Sequence, residues 1–293
     1  MKKIALLLDQ EDNPYQQLLA KGAAVRATHH KLALLPPSYA GGSSFVQLNQ
    51  LMACTKGDDR PDGVLLMAAG GESNLPGAKH VLRAGVSLVF INRQTAQASE
   101  LKDAYPDVLT AAVSPDQEQI GRIQAEQCRR LLPKGGFVLL ITGTPSTSSA
   151  IDRRAGFLSG VGKEIDVHTL EGMWTEESAF RALADWVRVG AERSRPVSLI
   201  VCQNDQMARG ARRAQLEHKA KVGELAPLIG CDGLPAEGQH MVRQGELRAT
   251  VIMPATTPEA VDALAAFWAT GERRELALVS AESFPPLAQL GPQ

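Results

Sequence analysis

A chain of 293 residues exceeds one average domain, so two lobes are expected. Hydrophobic residues make up 44%, enough for ordinary cores, and a formal net charge of -1 with a pI near 6.6 leaves no electrostatic footprint for nucleic acid. Only 4% of residues are aromatic, so any stacking platform rests on few rings. The first apolar run, Ile4 to Leu8, stops at Asp9, too early for a signal-peptide core or a membrane span.

Lys3 to Leu8 reads as a first strand, and Pro14 starts a helix carrying Leu18, Leu19, Gly22 and Val25. Lys31 to Leu35 is a second strand, stopped by Pro36-Pro37. A helix with the stripe Phe45, Leu48, Leu51 and Met52 follows, then a strand at Gly63 to Met67. Leu75 to Ala84 is a helix, and Ser87 to Ile91 is a strand ending in Asn92-Arg93-Gln94. After an irregular stretch through Pro106 comes a strand at Leu109 to Val113. The cycle restarts with helices near Asp116 to Leu132, Ala150 to Val161, Glu176 to Glu192, Gln206 to Leu216 and Pro235 to Gln244. Strands are expected at Gly136 to Ile141, Val167 to Glu171, Val197 to Cys202, Ala226 to Cys231, Ala249 to Met253 and Leu276 to Ser280. A further helix falls within Pro254 to Thr270, and the proline-rich tail reads as a surface segment. This alternation predicts an α/β fold of two doubly wound parallel-sheet lobes. Ligands bind such sheets beyond the carboxyl ends of the strands. Here those ends carry Gln203-Asn204-Asp205 and Asp232-Gly233.

These motifs resemble the type I periplasmic binding proteins of the ribose-binding kind, whose fold also serves as the effector domain of lactose-repressor-like regulators. The residues that carry the resemblance are Asn13-Pro14-Tyr15, Asn92-Arg93, Ser148 to Phe157, Gln203 to Ala208, Ile229 to Gly233, and Gly245 to Thr250. It implies two lobes joined by three hinge segments, near Ser114-Pro115, Met253-Pro254 and Ala281. One lobe then comprises residues 1–114 plus 254–280, the other 115–253 plus 281–293. It also implies ligand-binding roles for Asn13, Tyr15, Asn92, Arg93, Trp174, Asn204 and Asp232, with Tyr15 as a stacking ring and Arg93 as a planar donor fork. An ionised Asp232 accepts only, and suits a ligand rich in hydroxyl donors. The chain departs from the family pattern at Gln16, where a second aromatic is common, and at Asn92, where an acid is common. A binding arginine is expected at the position of Ile151 and a binding glutamine at that of Met253. With four contacts replaced, ribose is not the expected ligand.

Simpler roles compete. The competing roles are a helix cap for Asn13, a peripheral core residue for Trp174, the cap of the helix from Gln206 for Asp205, and an ion-pair partner of Glu72 or Asp116 for Arg93. Arg153 and Arg154 sit on a helix, where at least one is expected to form a structural salt bridge, so neither is taken as a binding residue. His29-His30 lacks metal-ligand spacing, so neither a metal nor a cofactor is expected. The polar loop Thr142 to Ser149 is expected to cap a helix, with anion binding as the alternative. No nucleophile elbow or phosphate loop is present, and Asp9, Asp205 and Asp232 have no visible partner base, so catalysis is not expected. Cys54, Cys128, Cys202 and Cys231 lack C-x-x-C spacing. Cys202 and Cys231 read as core residues, and free thiols favour a reducing compartment. The expected partner is a small carbohydrate-like ligand, with an ABC transporter permease or a sensor kinase downstream. Nucleic-acid binding and membrane insertion are not expected. The expected location is periplasmic if a leader has been trimmed and cytoplasmic if Met1 is the native start. The alternatives are a regulator core without its DNA-binding head and a sugar-modifying enzyme.

Overall fold

The computed structural model describes residues 1–69, 74–92, 98–190, 196–219, 225–273 and 277–292. The chain divides into two compact units. Unit 1 is Met1–Pro115 with Pro254–Val279, and unit 2 is Asp116–Met253 with Ser280–Gln293. The polypeptide therefore passes from one unit to the other three times.

In unit 1 the strands are β1 (Lys3–Leu8), β2 (Ala33–Leu34), β3 (Ser38–Tyr39), β4 (Gly63–Leu66), β5 (Ser87–Ile91), β6 (Thr110–Pro115) and, late in the chain, β12 (Ala277–Val279). They form a parallel sheet in the order β12-β6-β5-β4-β1-β2, with β3 also on β1. Every residue of β4 and β5 is buried, which is why these strands are unbroken apolar runs. The helices are α1 (Pro14–His29), α2 (Ser44–Ala53), α3 (Leu75–Arg83), α4 (Ala98–Ala104) and, near the end of the chain, α10 (Thr257–Thr270). One face of the sheet packs Leu7, Val64, Leu66, Leu88 and Phe90 against Leu51, Val81 and Leu101.

Unit 2 has a four-stranded parallel sheet, β10-β9-β7-β8, from β7 (Gly136–Thr142), β8 (Ile165–Glu171), β9 (Leu199–Cys202) and β10 (Leu228–Ile229). A separate antiparallel pair joins β11 (Thr250–Ile252) to β13 (Glu282–Phe284). Its helices are α5 (Gln117–Leu131), α6 (Ser148–Gly160), α7 (Glu176–Val189), α8 (Asp205–Glu217) and α9 (Gly238–Arg243). Helices α5 and α6 touch backbone to backbone. A Cβ on Gly121 would lie 2.1 Å from the Arg153 carbonyl oxygen, and one on Gly156 would lie 2.1 Å from that of Glu118. These two glycines fix the height of α6, and with it the position of Arg153.

The α/β class and the parallel doubly wound sheets are as expected. The stretch read as irregular before Pro106 holds α4, whose short polar sequence ASELKDA shows no apolar stripe. The tail read as a surface segment instead supplies β13, a short 3-10 turn at Leu287–Gln289 and the buried Leu290. It is held because β11 would otherwise expose an unpaired edge. The four cysteines are free and buried, and burial pushes the thiols of Cys128 and Cys231 up to about 12. No helix among the described residues is long and apolar enough to cross a membrane.

Candidate functional site

The strand ends of unit 1 carry three of the expected residues. Asn13 has extended backbone and its side chain accepts from the Gln16 backbone N–H at 3.1 Å, so it caps α1, with Pro14 in the first turn. Gln16, the residue found in place of a second aromatic, is buried. Its Oε1 accepts from the N–H groups of Asp9 and Gln10 at 2.8 and 2.9 Å, and so braces the β1–α1 loop. Tyr15 is also buried. Its hydroxyl donates to the Pro254 carbonyl at 2.9 Å and lies 3.2 Å from Asn92 Oδ1. Asn92 ends β5 in the left-handed region, φ 61, which asparagine tolerates better than most residues. Tyr15 and Asn92 thus form one bonded group, and little of the Tyr15 ring is accessible for stacking. Arg93 lies outside the described residues.

The strand ends of unit 2 are organised around Arg153. It is 3% exposed, and its guanidinium reaches several elements at once. Nε donates to Gln117 Oε1 at 2.6 Å. Nη1 donates to the Gln203 carbonyl at 2.5 Å and to Cys231 Sγ at 3.6 Å. Nη2 donates to Met253 Sδ at 3.0 Å. Sulfur is a weak acceptor, so this buried cation is under-satisfied. Its Cζ stands 5.4 Å from the centroid of the Trp174 ring, a cation–π distance. Trp174 follows Met173 just past β8, and both have positive φ, 69 and 50. Its indole lies flat on Gly143, where a Cβ would sit 2.0 Å from Trp174 Cε2. Trp174 Nε1 is buried without a hydrogen-bond partner among the described residues.

Asn204 caps α8, its Oδ1 accepting from the Met207 N–H at 2.8 Å while its Nδ2 donates to the Trp174 carbonyl at 3.0 Å. The cap is therefore Asn204 and not Asp205, which was expected to fill that role. Asp205 is buried one residue further on. It accepts from the Gly233 N–H and the Thr250 hydroxyl, both at 2.8 Å, and from the Cys231 N–H. A Cβ on Gly230 would lie 2.1 Å from Asp205 Oδ1, and one on Gly238 would lie 2.0 Å from Oδ2. The Gly-Cys-Asp-Gly turn is thus shaped around the Asp205 carboxylate. In that turn Asp232, with φ 106, is 8% exposed. Burial first, then the Asp205 charge, pushes its carboxyl well above the usual carboxylate range, with Arg153 acting against both.

Residues 4–269 match the profile of a family described as "Periplasmic binding protein domain". The chain belongs to this periplasmic binding protein family. Among curated proteins no sequence matches it. Solved structures that share the fold include the fructose-binding periplasmic domain of a hybrid two-component system, with TM-score 0.83 and 16% identity over 97% of this chain and 90% of that one. Another is an ABC transporter solute-binding protein from Bacillus halodurans with bound myo-inositol, with TM-score 0.79 and 21% identity over 96% and 93%. A third is the binding-protein component of the arabinose ABC transporter from Shewanella, bound to L-arabinofuranose, with TM-score 0.81 and 17% identity over 98% and 93%.

Arg153 is the residue of this periplasmic binding protein that sequence reasoning passed over. The arginine was sought at the position of Ile151, whose side chain is 53% exposed. Two residues on, Arg153 shares the buried face of α6 with Ala150, Gly156 and Phe157. That spacing of three, six and seven was the signal available. Trp174, Asn204 and Asp232 gather with Arg153 in unit 2, and Asn13, Tyr15 and Asn92 gather in unit 1. Among the described residues, no three or more His, Cys, Asp or Glu side chains cluster in a way that could hold a metal ion.

Proposed function

We propose that this protein is a non-catalytic binding protein for a small, polar, sugar-like molecule, and that it shuts over its ligand by movement about the three crossings between units. The observation that carries this reading is the gathering of Arg153, Trp174 and Asp232 at the carboxyl ends of parallel strands, where open α/β sheets take their ligands. Arg153 and Asp232 bind from unit 2, with Trp174 supplying an apolar wall and Asn204 holding that wall in place. Asn13, Asn92 and Arg93 bind from unit 1, with Tyr15 as a brace. Closure follows because a ligand that touches both units makes all its contacts only in the shut form. The similar structures named above hold or bind fructose, myo-inositol and arabinose, which supports a sugar or polyol here. The downstream partner is an ABC transporter permease or a sensor kinase, and the working location is the periplasm.

The test is a thermal-shift screen of the purified chain against aldoses, ketoses and polyols, with hits confirmed by calorimetry. At a ligand concentration about 100 times the Kd, binding adds roughly 2.7 kcal/mol of stability. The hit should disappear in Asp232→Ala and in Arg93→Ala. If no sugar or polyol shifts the melting temperature at millimolar concentration, the reading is wrong.

A further inference from the structure

Unit 2 buries two neighbouring carboxyl groups, and their surroundings differ. Asp205 receives three donors: the Gly233 N–H, the Thr250 hydroxyl and the Cys231 N–H. Three hydrogen bonds to one carboxyl favour its ionised form and work against the burial that raises it. No described residue donates a hydrogen bond to the Asp232 carboxyl, although it is just as deeply buried. The charged and titratable groups around the pair come from several elements. Arg153 from α6 faces Asp232, and Cys231 from the turn after β10 lies against both carboxyls. Glu237, just before α9, acts on Asp205, and Arg209 of α8 is ion-paired to Glu237. From β11 come only the neutral Thr250 and, just past the strand, Met253. Among the described residues, Arg153 is thus the one cation acting on Asp232. Its guanidinium is already directed to Gln117, the Gln203 carbonyl and two sulfurs.

We propose that the two carboxyls share a single proton at neutral pH, that it resides on Asp232, and that the site therefore offers its ligand a carboxylic acid. Two like charges buried side by side cannot both ionise at ordinary cost, and the proton settles where no donors oppose it. A neutral carboxyl both donates and accepts. Asp232 can then give a hydrogen bond to a ligand oxygen that has no hydrogen of its own, such as a ring oxygen or a carbonyl, which an ionised Asp232 would repel. The role of that proton in binding rests on the function proposed above. Its location is tested without ligand, so the two ideas fail separately.

The experiment is a pH titration of the full chain with carbon-13-labelled aspartate carboxyls, followed by NMR from about pH 4 to pH 9. The expected result is one aspartate carboxyl still protonated at pH 7, its signal missing from Asp232→Asn. If every aspartate other than Asp205 has ionised by about pH 5, the inference is overturned. It is also overturned if the neutral signal persists unchanged in Asp232→Asn, because the proton then belongs to Asp205. The unmodified protein gives an independent reading through the infrared carbonyl band of a protonated carboxyl. That band should be present at pH 7 and lost in strong alkali, and its absence at pH 7 also overturns the inference.

Discussion

At the strand ends of unit 1 the described polar groups include amides, a phenol and the buried Asp9 carboxyl, and they bond to one another or to the backbone. At those of unit 2, a guanidinium, two carboxyls and an indole are packed together with bonding capacity to spare. Asn13, Gln16, Tyr15 and Asn92 are neutral and bond to the backbone or to one another, with Asn92 Nδ2 also directed to Met67 Sδ at 3.9 Å. Arg153 spends an Nη2 hydrogen on a thioether, and among the described residues Trp174 Nε1 has no acceptor and the Asp232 carboxyl no donor. Neutral groups can be satisfied by neighbouring backbone, whereas buried charges seldom are. Among the described residues, more bonding capacity is therefore left over at the strand ends of unit 2 than at those of unit 1.

The contrast breaks most readily at Arg153. Arg153→Ala strands the Gln117 and Gln203 oxygens and leaves Asp232 without its cation, so a loss of about 3–5 kcal/mol is expected in guanidinium denaturation. An effect below about 1 kcal/mol would show that unit 2 does not depend on this residue. Gly230→Ala drives a methyl group toward Asp205 Oδ1 and should cost about 1–3 kcal/mol by the same measurement. The pH dependence comes next. Asp205 and Asp232 both have carboxyls raised by burial, Asp205 to about 7, against roughly 3.9 for an unfolded aspartate. The folded chain then binds more protons than the unfolded one, so stability falls as pH rises from about 4 through 7. The slope is at most about 1.4 kcal/mol per pH unit for each proton. In Asp232→Asn, melting temperatures should flatten over that range. In unit 1 the effects are smaller. Asn13→Ala removes a cap and should cost about 1 kcal/mol. Tyr15→Phe removes one hydroxyl that bonds to a carbonyl and should cost less than about 1 kcal/mol. If the two unit 1 changes matched Arg153→Ala in size, the contrast between the walls would be lost.

Much of the architecture could be read from the residues because central strands announce themselves. Leu88–Ile91 is an uninterrupted apolar run ending at Asn92, and it lies within the strand Ser87–Ile91. The polar tips after β9 and β10 could be read for the same reason. What stayed hidden depended on partners distant in sequence. The pairing of β13 with β11 joins residues about thirty positions apart through a short segment with no distinctive alternation. Asp205 looked like a cap because a carboxylate before a helix usually is one, and only the turn at Gly230 to Gly233 reveals its other role. Arg153 was set aside because an arginine on a helix usually forms a structural salt bridge. Gly121 and Gly156 bring the backbones of α5 and α6 into contact, and only that closeness makes the face carrying Arg153 an interior one.

The β11–β13 ribbon bears on how this protein can be dissected. Gln127 of α5 donates to both the Thr250 carbonyl and the Ser283 hydroxyl, and the Arg243 guanidinium stands 5.3 Å from the Phe284 ring. A fragment ending shortly after Met253 would keep Asp205, Asp232 and Arg153 yet lose the strand that pairs with β11. Any attempt to express this half alone must splice residues 280–292 back onto it.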